Sequence, residues 1–147
     1  MKSASLAGLR ISTGLLLMVW GLIRVGAPNM GAHVSEKYYA GLGAAPTVQV
    51  AWGIALLILG SLVVLGLFRR YALPAQAVVL VTGALAIWKY LLDPLGMYLL
   101  DRDTSQVLFF PSLGIAFATL VLIAFRNEDH FALDHLIDRH KANAAEG

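Results

Sequence analysis

The chain has 147 residues, of which 59% are hydrophobic and 14% are charged, and its formal net charge is +2. Soluble domains carry about 25% charged residues, so this composition argues against a soluble domain. The small net charge gives no reason to expect a nucleic-acid partner. The lack of cysteine excludes disulfides, thiolate metal ligands and C-x-x-C redox chemistry.

Four apolar runs contain no Asp, Glu, Lys or Arg: residues 11–23, 47–68, 71–88 and 107–125. A helix that crosses a bilayer needs about 20 mostly apolar residues, and the first run reaches that length if its flanking Arg10 and Arg24 snorkel. We therefore predict an all-α polytopic membrane protein, an antiparallel four-transmembrane-helix bundle with a short amphipathic C-terminal tail helix. The predicted spans cover about residues 6–25, 47–68, 72–90 and 105–125, which places a transmembrane domain at 1–126 and a cytoplasmic tail at 127–147.

Basic residues predict the orientation, because Lys and Arg accumulate on the cytoplasmic side of membrane proteins. With both termini inside, seven basic residues face the cytoplasm: Lys2, Arg10, Arg69, Arg70, Arg126, Arg139 and Lys141. Four face outside: Arg24, Lys37, Lys89 and Arg102. We therefore expect four spans with both termini in the cytoplasm.

Small residues recur at intervals of seven along the predicted helices, where they would let helix backbones approach closely. The series are Ala7, Gly14 and Gly21; Gly53 and Gly60; and Ala77 and Ala84, with a small-xxx-small pair at Gly114 and Ala118. Such a period favours a left-handed antiparallel bundle. The alternative is that glycine and alanine are simply abundant in membrane helices.

The interiors of the runs hold no ionisable residue, although proton relays and ion-coupled transporters usually need one. Hydroxyl residues within the runs are expected to bond to their own helix backbone. No H-E-x-x-H, G-x-S-x-G, P-loop or Gly-rich nucleotide signature is present. No pair of histidines within the spans supports haem ligation, so no catalytic residue is predicted.

Aromatic and basic residues gather at the predicted outer mouth of the bundle: Trp20, Arg24, Trp52, Trp88, Lys89 and Tyr90. One interpretation is a site for a quinone-like or lipid head group. The other is an ordinary aromatic belt with snorkelling cations. Arg24 could also form an ion pair with Glu36, Asp93 or Asp101.

The tail offers a second candidate site, because His130, Asp134 and Asp138 follow one another at intervals of four. On a helix they share one face, and histidine with carboxylates can bind a divalent metal. Phe131, Leu133, Leu136 and Ile137 also make the tail amphipathic. A solvated face on a docking helix therefore explains the same residues.

The first helix and the overall layout resemble the DoxX-like family of small bacterial four-helix membrane proteins. The resemblance is carried by Arg10, Gly14 and Trp20-Gly21-x-x-Arg24, and by Gly60 and Gly66 leading into Arg69, within about the first 90 residues. Family members often have a glutamate early in the second helix, where this chain has Trp52-Gly53. That departure speaks against an acid-dependent activity.

The resemblance implies a partner-dependent membrane subunit, since the family's founding members look like subunits of quinone-linked oxidoreductases. The first hypothesis is therefore an accessory or anchoring subunit of a complex in the bacterial cytoplasmic (inner) membrane, for example a quinone-linked respiratory complex, without catalysis or a cofactor of its own. The second is a membrane redox protein that binds a quinone or a lipid at the outer mouth. A homo-oligomeric transporter ranks third. Membrane lipids and other membrane subunits are the expected partners.

Overall fold

The computed structural model describes residues 1–41, 43–100 and 109–145, and every regular element in these ranges is helical. A short 3₁₀ turn at Arg126–Glu128 joins the last two helices. The seven α-helices are α1 Lys2–Gly26, α2 Pro28–Tyr38, α3 Pro46–Leu65, α4 Arg69–Ala86, α5 Trp88–Leu92, α6 Pro111–Ala124 and α7 Leu133–Ala145.

Two of these helices, α1 and α3, are long and apolar enough to cross a membrane by length and composition. Helix α1 covers the first predicted span, whereas α3 ends at Leu65, three residues before the predicted end of the second span. The third predicted span is divided, because the helix breaks at Ile87 and restarts as α5. Helix α6 is apolar but has only 14 residues, and residues 105–108 of the fourth predicted span lie outside the described ranges.

Helices α1 and α3 pack backbone against backbone through glycines. A Cβ atom on Gly14 would lie 3.0 Å from the carbonyl oxygen of Gly60, and one on Gly21 would lie 2.7 Å from that of Gly53. The paired positions advance by seven residues in opposite directions, so the two helices are antiparallel. Of the two interpretations of the small-residue series, close packing is therefore the correct one for these two helices.

Helix α4 packs against α3 and α6, and α1 also packs against α6. Ala77 and Ala84 of α4 are buried, as their spacing predicts. The predicted pair on α6 is wrong, because Gly114 is exposed and a Cβ atom there would have open space around it. Helix α6 instead turns Ala116, Thr119 and Leu122 inward.

The hydroxyl groups in the apolar helices bond to carbonyl oxygens of their own helix, as expected. Thr13 bonds to Leu9 at 3.0 Å, Ser61 to Leu57 at 2.8 Å and Thr119 to Ala116 at 2.7 Å. These groups are therefore satisfied locally and provide no polar path through the helices.

The connector after α1 differs from a simple loop. Helix α1 ends at Gly26, and Pro28 starts α2, because proline is tolerated where a helix N–H has no partner. Helix α2 packs on α1 and α3. It therefore covers one end of the helices.

The opposite end is closed by the segment 129–134, which we call the C-terminal latch. Its Asp134 side chain accepts hydrogen bonds from the N–H groups of Phe68 (3.0 Å) and Arg69 (2.8 Å), which begin α4. The Arg69 side chain donates in return to the carbonyl oxygens of Arg126 and of Asp129, the latter at 3.1 Å. The tail thus folds back onto the turn between α3 and α4 at the point where α7 begins.

Candidate ligand-binding cavity

A cavity of about 380 Å³ lies at the end of the helices covered by α2. Helix α1 contributes Trp20 and Arg24 to its wall, and α3 contributes Gln49, Trp52 and Leu56. Three of the six residues predicted at the outer mouth, Trp20, Arg24 and Trp52, are therefore brought together here.

The rest of the wall comes from α4, α2 and the loop that follows α2. Val79 and Thr82 face the cavity from α4, while Ser35 and Tyr39 close it from the α2 side. The cavity thus has an apolar and aromatic body with a small number of polar groups at one end. That combination is typical of small-molecule sites.

The polar groups form a chain of hydrogen bonds centred on Gln49. Its side-chain oxygen accepts from the Arg24 guanidinium, and its amide nitrogen donates to Ser35 Oγ at 2.8 Å and to the Gly43 carbonyl oxygen at 2.6 Å. A Cβ atom at Gly31 would lie 2.6 Å from the Gln49 side-chain oxygen, so only glycine lets α2 approach this closely. The glutamine therefore fixes the position of Arg24 relative to α2.

None of the carboxylates that the structure describes forms an ion pair with Arg24. Glu36 is exposed, and the Asp93 carboxylate accepts N–H groups of its own loop, from Met97 and Tyr98 at 2.8 Å and from Leu99 at 2.6 Å. These bonds, that of Met97 foremost, hold the pKa of Asp93 far below its usual value. Asp101, the third predicted partner, lies outside the described residues.

Tyr39 adds a neutral hydroxyl beside the cation. Burial raises the pKa of its phenol above the usual value, and the charge of Arg24 opposes that shift only in part. The phenol therefore stays protonated at neutral pH and can donate a hydrogen bond. Arg24 and Tyr39 can therefore both donate hydrogen bonds to a ligand oxygen, either a carbonyl oxygen or one that carries negative charge.

The other three residues predicted at the mouth do not line this cavity. Tyr90 stacks edge-to-face with Tyr38 and Phe109, at centroid distances of 5.4 Å to each. Lys89 is exposed, with its ammonium 5.8 Å from the centre of the Trp88 ring. The single predicted ring of aromatic and basic residues is thus three separate groups.

Trp88 lines a second, almost wholly apolar groove of about 340 Å³ between α4, α5 and α6, with Leu85, Leu92, Phe117 and Leu120 among its other walls. This groove offers no hydrogen-bonding group comparable with Arg24. It resembles a contact surface for hydrocarbon more than a site with chemical specificity.

The three tail residues predicted as metal ligands are used differently. Both carboxylate oxygens of Asp134 are engaged by the start of α4. Asp138 is exposed, while the His130 ring lies against that of His135. Among the described residues no cluster of three or more His, Asp or Glu side chains is arranged to hold a metal ion.

Sequence reasoning missed the partners of the predicted residues. Gln49 was the one amide in its apolar run, and that was the only available signal. Ser35 and Tyr39 lie in the connector, where no pattern distinguishes them. Arg10 was interpreted as a flanking cation, yet it is 2% exposed and forms an ion pair with Asp129.

Comparison of the chain with known protein families, characterised proteins and solved structures finds no match. The geometry of the cavity therefore has to support a functional proposal by itself.

Proposed function

We propose that this chain is an integral membrane protein that binds the head group of a quinone or a lipid in the Arg24 cavity. The observation that carries the proposal is the position of Arg24, held by Gln49 beside the half-buried phenol of Tyr39, at the polar end of a cavity walled by Trp20 and Trp52. A quinone carbonyl or a lipid phosphate would accept from the guanidinium. Its ring or first methylenes would contact the indoles and Leu56.

The proposed membrane arrangement has four spans, built from α1, α3, α4 with α5, and α6. Its support is the length and hydropathy of α1 and α3, the contacts of α4 and α6 with them and with each other, and the apolar side chains on the outer surface, such as Ile58 and Phe117. The basic-residue bias places both termini in the cytoplasm of a bacterial cell. A reporter fused after Arg70 that acts from outside the cell would contradict this orientation.

Ligand binding is tested by tryptophan fluorescence of the purified chain in mild detergent. The chain has three tryptophans, so Trp88→Phe leaves only the two indoles of the cavity, and a short-chain benzoquinone or an anionic phospholipid is then titrated. A hydrogen bond to a charged group is worth about 1.5–3 kcal/mol, so Arg24→Ala should raise Kd roughly tenfold to a hundredfold.

Lys89→Ala is the matched control, because Lys89 is a cation at the same end of the helices that does not line the cavity. Its affinity for either probe should stay at the starting value. Equal losses in the two variants, or unchanged binding after Arg24→Ala, would refute the proposed site. Preference for the quinone or for the phospholipid identifies the ligand class.

The second candidate is an accessory role in a larger membrane complex of DoxX-like type, for example a quinone-linked one. It is favoured by the amount of apolar surface that the described helices leave uncovered, including the groove beside Trp88; contiguous patches of this kind mark membrane or protein contacts. Purification of the native complex in the same detergent tests it. A chain that elutes without another subunit speaks against this role and leaves the ligand proposal standing.

A further inference from the structure

Two histidine side chains meet at the start of α7. Nδ1 of His130 lies 3.3 Å from Nε2 of His135, and the ring centroids are 4.8 Å apart. His130 is exposed and His135 is half-buried, so solvent reaches the pair. Both belong to the part of the chain that closes the latch end of the helices, and neither lines the Arg24 cavity.

The backbone at both histidines is held by hydrogen bonds. The N–H of His130 donates to Ser3 Oγ of α1 at 2.9 Å, and the adjacent Asp129 is paired with Arg10 of α1. His135 lies in the first turn of α7, where its N–H donates to the Ala132 carbonyl oxygen at 3.1 Å. The folded latch therefore places the backbones of the two histidines so that their rings can meet.

We propose that His130 and His135 form a two-histidine site for a divalent transition metal such as Zn²⁺. A tetrahedral zinc ion bound to nitrogens at about 2.0–2.1 Å holds them about 3.3–3.4 Å apart, which is the separation that the rings already have. Neutral imidazole is a good ligand for zinc, copper and nickel. The ion would replace the proton shared between the two nitrogens.

The remaining coordination positions are open to water. The two carboxylates nearest in sequence are already engaged, Asp129 by Arg10 and Asp134 by the N–H groups of Phe68 and Arg69. Among the described residues no third His, Asp or Glu ligand accompanies the pair. Closed structural zinc sites have four protein ligands. A two-ligand site should therefore bind exchangeably and respond to the metal concentration around the tail.

A bound ion would cross-link two parts of the tail. The N–H of His130 is bonded to Ser3 of α1, and His135 lies in the first turn of α7, so a bound ion would tie the start of α7 to the part of the latch that contacts α1. Binding to the folded state alone raises stability by mass action. Metal would thus strengthen the attachment of the tail without touching the Arg24 cavity.

The test is calorimetric titration of Zn²⁺ into the full-length, untagged chain in detergent, since a polyhistidine tag would add competing ligands. One ion should bind per chain. Loss of outer-shell groups alone weakens metal sites about 10–100-fold, so His130→Gln and His135→Gln should each raise Kd at least about tenfold. His33→Gln and His140→Gln, which change the other two histidines of the chain, are the matched controls and should bind as the starting protein does.

Three outcomes would overturn the site: no zinc binding by the starting protein, unchanged binding after either substitution in the pair, or an equal loss in a control. Elution volume in size-exclusion chromatography confirms that each variant is folded. Because both rings are accessible to solvent, neither substitution removes a buried group.

Discussion

Asp129→Ala is expected to lower the free energy of unfolding by about 3–5 kcal/mol, because it leaves a buried guanidinium without its counter-ion. Arg10 and Asp129 are 2% and 3% exposed, and Arg10 Nε lies 2.6 Å from Asp129 Oδ2. The cost is large because water cannot reach Arg10 to replace the carboxylate. Unfolding of the purified chain by denaturing detergent, followed by circular dichroism, measures it.

The surroundings of Arg10 explain why the pair is so firmly placed. Its Nη1 donates to the carbonyl oxygens of Val63, at 2.8 Å, and Val64 at the end of α3, and its Nη2 reaches that of Phe131 at 3.5 Å. The guanidinium therefore joins α1, α3 and the latch. Val63 and Val64 belong to the last turn of α3, where carbonyl oxygens lack the N–H partner that a continuing helix would supply.

Glu128→Ala is the control for this prediction. Glu128 precedes Asp129 and pairs with Lys2 from a solvent-exposed position, with the two side chains 41% and 66% exposed. Exposed pairs contribute about 0–1 kcal/mol, so this variant should unfold almost as the starting protein does. The double change Arg10→Met with Asp129→Leu should recover much of the lost stability. A loss after Asp129→Ala no greater than that after Glu128→Ala would contradict the buried pair.

Gly66→Ala is expected to destabilise the chain by about 2–5 kcal/mol, the sum of backbone strain of about 1–2 kcal/mol and overpacking of about 1–3 kcal/mol. Gly66 ends α3 with a φ of 69°, in the left-handed region. A Cβ atom there would also lie 2.6 Å from the Ala132 Cβ and 2.9 Å from its Cα, in the latch. The same unfolding measurement applies.

Gly41→Ala separates the two contributions. Gly41 also has a positive φ, 75°, but a Cβ atom on it would meet nothing within 4 Å. This control should show the strain of the backbone alone, about 1–2 kcal/mol. If both variants lose the same free energy of unfolding, glycine is required at position 66 only for its backbone conformation. The close approach of the latch is then not a source of stability.

Arg10, Gly66 and Arg69 carried part of the resemblance to the DoxX-like family, and the structure gives each a physical role at one end of the helices. Arg10 and Gly66 meet the latch directly, and Arg69 bonds to it. At the other end Gly21 and Arg24 serve helix packing and the cavity. Membership of that family remains a prediction, which these roles do not decide.

The helices could be predicted well because hydropathy and glycine spacing depend on residues that are close together in the sequence. The long apolar run of α3 and the glycine series of α1 each follow from a few consecutive turns of sequence, and the structure confirms both helices. The break at Ile87 and the helix at Pro28–Tyr38 were missed. An apolar run can continue through a kink, and a short polar helix is stabilised mainly by what it packs against.

The candidate site was predicted only in part, because aromatic and basic residues at equal predicted depth need not face the same way. Trp20, Arg24 and Trp52 converge, whereas Trp88 and Tyr90 turn toward other helices. Depth follows from position along a helix. The direction in which a side chain points depends on the rotation of each helix against its neighbours.

The sequence by itself determined that the chain is helical and apolar, where its helix-breaking residues lie and which glycines can form a close helix contact, because these features depend on residues a few positions apart. Only the tertiary structure decided that Arg10 is buried with Asp129, 119 positions later in the chain, that Gln49 holds Arg24, and that His130 meets His135. These pairings depend on how the latch and α2 fold back onto the ends of the helices. No local sequence pattern predicts these contacts, since the free energy that stabilises them comes from packing between distant segments.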